Sequence, residues 1–147
     1  MKTYAGEIAI GAEHIDTIRG HSGMVGQAMM LVQVLTDFVA ELKFDREKLQ
    51  ANNYCFQVTH TEATYRDQLL QGDNIKVQGI VWITGQYTLN FHVTYLKGEK
   101  KVTIMTSTMN LIYSPTSKMV KLPEHVISAI GPEVPNPILL QPIMTSD

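Results

Sequence analysis

The sequence lacks most of the features that would mark a specialised environment. It has one cysteine, Cys55, in the strand-like run NYCFQV, so no internal disulfide can form. Cys55 reads as a small, half-buried strand residue rather than as a catalytic thiol. No stretch approaches the roughly 18 apolar residues of a membrane span. The opening segment MKTYAGEIAI has one Lys but neither a long apolar core nor a small-residue cleavage site, so the cytosol is the expected compartment. No cluster of Lys or Arg lines a helix or loop, the net charge is -2, and the isoelectric point is near 6.2. That removes the basic footprint of a nucleic-acid binder. The five histidines, at 14, 21, 60, 92 and 125, show no i+4 pairing and no Cys partner, so no metal site is expected. Internal repeats and low-complexity blocks are also missing.

What remains is an ordinary globular chain. Its 147 residues are 44% hydrophobic and 18% charged, enough to bury one core without a disulfide or structural metal. Residues 3–10 read as a short strand, and GAEHIDTIRGHSG reads as a polar, Gly-rich loop. From Met24 the pattern changes. Ala28, Leu31, Val32, Leu35, Val39 and Leu42 recur at i+3 and i+4, with Met29, Met30, Val34 and Phe38 widening the stripe, which predicts a helix over 25–43 buried on most of its circumference. Ser22 is a candidate N-cap, and Lys43 and Arg46 suit the negative end of the helix dipole.

Four further strands follow. They cover 54–65, GDNIKVQGIVWIT with Ile75, Val77, Val81 and Ile83 on one face, a run alternating Tyr87, Leu89, Phe91, Val93 and Tyr95 with Thr88, Asn90, His92 and Thr94, and 101–113. LPEHVISAI predicts a short helix with Pro123 in its first turn, and 132–147 is a proline-punctuated tail beyond a domain of residues 1–131. The fold class is therefore α+β, one long central helix wrapped by a curved antiparallel sheet of about five strands. One helix cannot cover both faces. Simple alternation leaves Ile80, Trp82, Met105, Met109 and Leu111 on the uncovered side, which implies a second subunit there, in a homodimer or a dimer of dimers.

A strand, a Gly-His loop, a long apolar helix and four meandering strands resemble the hot-dog fold of acyl-CoA thioesterases, including the 4-hydroxybenzoyl-CoA thioesterase type, and of acyl-thioester dehydratases. IDTIRGHSGMVGQAMML resembles the thioesterase loop in which an acidic residue precedes Gly-His before the helix. ATYRDQLLQGDNIKV resembles the strand in which an aromatic residue and a "pL..GD" turn lead onward. In the common thioesterase pattern the catalytic Asp stands three residues before the Gly; Thr17 occupies that place here, and Asp16 stands one residue earlier. Arg19-Gly20-His21 followed by Gly26-Gln27-Ala28 also resembles the malonyl-CoA-sensing hot-dog domain of bacterial lipid regulators, which binds an acyl-CoA without hydrolysing it. GHSGMVG is similar to a dehydratase segment, but Val25 replaces its Pro and no helix acid follows.

The resemblance implies a substrate or ligand that is an acyl-CoA or acyl-carrier thioester, with coenzyme A belonging to it rather than acting as a resident cofactor. Unpaired backbone N–H groups at residues 21–27, with the helix dipole, could hold an oxyanion. Gly20, Gly23 and Gly26 either allow close approach of the thioester or only shape a tight turn. Asp16 is the first choice for base or nucleophile, against a capping role. His14 and His21 could activate water, His21 could orient the thioester, and Arg19 could hold a CoA phosphate. Gln27 could position water or the carbonyl. Glu62 shares a strand face with His60 and is the reserve acid.

Overall fold

A computed structural model describes residues 2–15, 24–43 and 46–131. The elements are β1 (Lys2–Ala9), α1 (Met24–Glu41), α2 (Arg46–Ala51), β2 (Tyr54–Tyr65), β3 (Asn74–Thr84), β4 (Thr88–Lys97), β5 (Lys100–Tyr113), β6 (Lys118–Met119) and α3 (Glu124–Ile130), with a 3-10 turn at Ala12–His14. The long helix and the four long strands after it fall where periodicity places them. Pro123 is the N-cap of α3 rather than a first-turn residue. The sequence reading passed over α2 and the two-residue β6. The proline-rich tail and the candidate cap Ser22 lie outside the described residues.

All strand pairs are antiparallel, in the order β1-β3-β4-β5-β2, with β6 added to β5. The helix lies on one face. Met30, Leu31, Val34, Leu35, Phe38 and Leu42 are buried against Ile75, Val77, Val81, Leu89, Phe91, Val93, Met105, Met109 and Leu111, while Gln33, Asp37, Ala40 and Glu41 stay exposed. The helix is thus buried on one broad face, as its 3.6-residue pattern dictates.

Phe38 is the central contact. Its ring meets Tyr4 of β1 edge-on at 6.1 Å between centroids and Phe91 of β4 at 6.0 Å. Gly79 of β3 stands between those two strands, and a methyl group there would come within 3.1 Å of the Phe91 ring. The missing side chain leaves room for the aromatic cluster.

The expected "L..GD" turn forms as a compact unit. Leu69 is fully buried, Gly72 adopts φ +91, and the Asp73 carboxylate accepts the Leu70 N–H at 2.8 Å and the Lys97 ammonium at 2.9 Å. These two partners hold the Asp73 carboxyl below the usual aspartate range. The turn also fixes the end of β1, because Ile10 N–H donates to the Asp73 carbonyl and Gly72 N–H to the Ile10 carbonyl, both at 2.8 Å.

Two β-bulges correct the face assignments made from simple alternation. Lys97 pairs with Lys100 across the β4–β5 turn; continued unbroken, that register would set Val93 opposite Ile104. Val102 is inserted as an extra residue, so Val93 faces Met105, and its carbonyl accepts the N–H groups of Arg66 at 2.9 Å and Asp67 at 3.4 Å. Because side chains alternate with period two, one extra residue moves Met105, Met109 and Leu111 to the helix face. The outer face keeps Ile80 and Trp82, gains Ile104 and Ile112, and is otherwise mostly polar. Thr88 donates to Asn110, Thr108 and Thr84 meet Asn90, and His92 Nδ1 lies 2.7 Å from Thr106 Oγ1.

Phe38→Ala should lower unfolding free energy by about 3–5 kcal/mol, the range for an aromatic deleted from a packed core. Urea denaturation measures it. A loss under about 1 kcal/mol would contradict the central place given to this ring.

Candidate active site

The helix start contributes backbone chemistry. The first N–H groups of any α-helix have no partner within it, and the dipole places partial positive charge there. In α1 the first turn is Met-Val-Gly-Gln, with no acidic residue to occupy those donors. Gly26 and Gln27 belong to this turn. Asp16, Arg19, Gly20, His21 and Gly23, which carry most of the expected chemistry, lie outside the described residues. The chain enters this segment through the 3-10 turn, with Ile15 N–H donating to the Ala12 carbonyl at 3.2 Å.

Glu62 and His60 share a strand face and touch, His60 Nε2 to Glu62 Oε1 at 3.1 Å. Both are well exposed, at 76% and 62% of their side chains. A second bulge decides where they point. Val58 pairs with Met109, a register that would set Glu62 opposite Met105 on the helix face; Thr59 is inserted, and Glu62 lies opposite Thr106 on the outer face instead. Within one protomer the sheet therefore separates Glu62 from α1.

The same bulge brings Thr61 to the helix face, where its hydroxyl shares a 2.9 Å hydrogen bond with the fully buried Ser107. Thr103, four residues earlier on β5, is also fully buried. Sequence reasoning missed this polar row, because Thr and Ser on a strand read as solvent-facing until the bulge is known. Tyr95 belongs to it through the Tyr95–Thr103 pairing, and Tyr65 pairs with Thr103 from the other side. Among the described residues the Tyr95 hydroxyl is buried and has no hydrogen-bond partner. Burial, then the nearby Tyr65, raises its pKa far above the usual tyrosine value.

Between α1, α2 and β2 lies a cavity of about 250 Å³, lined by Leu31, Leu35, Thr36, Leu49, Gln50, Tyr54, Cys55, Phe56, Val58 and Met109. Cys55 is an exposed free thiol. Its pairing with Ile112 places its side chain on the outer face, so its backbone is what borders this cavity. Among the described residues no group of three His, Cys, Asp or Glu could hold a metal ion, and no helix is long and apolar enough to cross a membrane.

Solved structures share this arrangement over most of their length. A protein from Staphylococcus aureus in complex with CoA superposes with a TM-score of 0.76 at 16% identity, covering 99% of this chain and 96% of that one. The chain has the hot-dog fold. Other hot-dog structures similar to it are a 1,4-dihydroxy-2-naphthoyl-CoA thioesterase from Synechocystis, with a TM-score of 0.74 at 12% identity over 88% and 96% of the two chains, and a gentisyl-coenzyme A thioesterase, with a TM-score of 0.74 at 12% identity over 86% and 98%. No family model and no curated protein matches the sequence.

Tyr95 gives a pH prediction. A tyrosine whose folded pKa is raised contributes stability that is complete below the unfolded value near 10 and is lost as pH rises above it. Stability should fall by about 1.4 kcal/mol per pH unit in that range. Tyr95→Phe should reduce this slope, leaving the part due to Tyr4 and Tyr65, whose pKa values burial also raises, and, by removing an unpartnered buried donor, leave neutral stability unchanged or about 1 kcal/mol higher. Denaturation series at pH 7 and above 10 check both; a large neutral loss in Tyr95→Phe would mean that the hydroxyl has a partner.

Proposed function

We propose that this protein hydrolyses acyl-CoA or acyl-carrier thioesters at a site completed by two copies of the chain. The observation that carries the reading is the helix start. An α1 first turn free of acidic side chains follows directly on the Asp16–Gly23 segment, within a fold whose solved examples include proteins described as CoA thioesterases. Hydrolysis requires a polarised carbonyl and an attacking oxygen. The first N–H groups of α1 supply the first, with Gly20, Gly23 and Gly26 permitting close approach. Asp16 supplies the second, as base or nucleophile, with Gln27 and His21 positioning water and thioester. Arg19 binds a CoA phosphate.

The pairing of two copies is argued from β2. It is an edge strand of 12 residues, exposed on both faces from Val58 to Ala63, with Val58 46% exposed and Tyr65 45%. A long, uncovered edge with apolar side chains is a template for another strand. Edge pairing of β2 with its copy supports a homodimer better than face packing does, since Met105, Met109 and Leu111 are already spent on the helix. The outer face, with Trp82 and Ile80, is left for a dimer of dimers. Glu62 and His60 then lie near the seam between copies, where Glu62 remains the reserve acid.

One observation favours a second reading, in which the protein binds acyl-CoA without hydrolysing it. Asp16 stands one residue from the usual catalytic place, and the first turn of α1 offers no acid to replace it.

A panel of acyl-CoA esters distinguishes the readings. Turnover should be measurable and should fall at least 100-fold in Asp16→Ala, the scale of losing a positioned acid or base. Saturable binding with no turnover would remove the enzyme and leave the binder. Light scattering should give at least twice the 16.5 kDa chain mass; a monomer at micromolar concentration would sink the two-copy site.

A further inference from the structure

The cavity between α1, α2 and β2 has a composition that none of the foregoing chemistry requires. Its walls are Leu31 and Leu35 of α1, Leu49 of α2, and Tyr54 and Phe56 of β2, with Met109 of β5 as floor. None of the ten residues that border it is charged. An aliphatic core segment would normally close such a space, since interiors tolerate few voids larger than a water molecule. Here α2 stands off α1 and leaves about 250 Å³ open. An apolar cavity of ~150 Å³ is enough to bind benzene, and a water-sized group takes up ~30 Å³, so this one has room for about eight methylene-sized groups.

We propose that this cavity receives the acyl portion of the thioester, and that the substrate is therefore an uncharged, medium-length acyl group of about eight carbons. The proposal rests on the thioester reading above and names the group that the site selects. Three observations place the acyl portion here. The cavity opens beside β2, the strand argued to form the seam between copies, and its α1 wall begins at Leu31, about one helical turn beyond Gln27. Among the described residues its lining offers mostly apolar contact and no counter-charge for a carboxylate or phosphate, which assigns the CoA end to another part of the site. Met109 and the surrounding leucines are flexible enough to fit a chain without a single imposed shape.

Binding is the test, because it does not depend on turnover. S-alkyl coenzyme A thioethers from ethyl to dodecyl, which cannot be hydrolysed, are titrated calorimetrically, with free alkanoates of the same lengths as a series lacking CoA. Affinity should rise about fourfold per methylene while the chain fills the cavity, and then level off at a total near eight to ten carbons. Two variants narrow the cavity from different walls, neither of them on β2: Leu49→Trp on α2 and Thr36→Trp on α1. Each should move the plateau to shorter chains while the ethyl compound binds as before.

Length-independent affinity overturns the proposal. So does a length dependence that neither tryptophan alters, since the chain would then lie elsewhere, and so does the absence of binding by either series. Chain-length-dependent binding in a protein that hydrolyses no thioester removes the enzyme and keeps the cavity's assignment. Turnover of acyl-CoAs with no length dependence does the reverse.

Discussion

Two inserted residues, Thr59 in β2 and Val102 in β5, decide which side chains meet the central helix. A single helix covers one face of a sheet, so everything that is buried depends on which half of each strand's residues points toward it. The Val102 bulge delivers Met105, Met109 and Leu111 to α1, and the Val102 carbonyl is itself held by the N–H groups of Arg66 and Asp67. The Thr59 bulge turns His60 and Glu62 outward and brings Thr61 against Ser107. Removing either insertion would exchange the two faces of the strand from that point on.

This is also where the sequence stopped being legible. Alternation placed Ile75, Val77, Val81 and Ile83 on one face and Leu89, Phe91 and Val93 on the same side of the sheet, because β3 and β4 carry no bulge between those residues. The Asp73 turn was legible through the resemblance carried by Leu69 and Gly72-Asp73, and the structure forms it with the Asp73 carboxylate accepting the Leu70 N–H. The face of β5 was not, since a bulge leaves the residue types unchanged and only shifts their phase. Nor was the cavity, which depends on how α2 packs against β2 rather than on any pattern within either element. For the site, the resemblance pointed to the segment before α1, which lies outside the described residues, whereas Glu62 was named from the strand face it shares with His60. α1 begins at Met24, and within one protomer the sheet separates Glu62 from it.

The corrected faces also change the argument for assembly. With the methionines of β5 inside, the outer face is a hydrogen-bonded ladder of Thr, Asn and His with a smaller apolar share. Among the described residues β2 is a long, exposed edge strand, and the apolar cavity opens beside it. In the proposed function, the start of α1 holds the thioester carbonyl, the β2 edge meets a second copy and the cavity takes the acyl chain, so that each part of the proposal rests on a different element.

The claim on which that arrangement depends is that the thioester carbonyl is held by the start of α1. A crystal structure with a 2-oxoalkyl coenzyme A, in which a methylene separates sulfur from carbonyl so that the group is retained but cannot be hydrolysed, tests it directly. The account predicts the carbonyl oxygen within about 3 Å of a backbone N–H among residues 21–27. A carbonyl bound on the outer face beside His60 and Glu62, with no contact to the helix start, would contradict it.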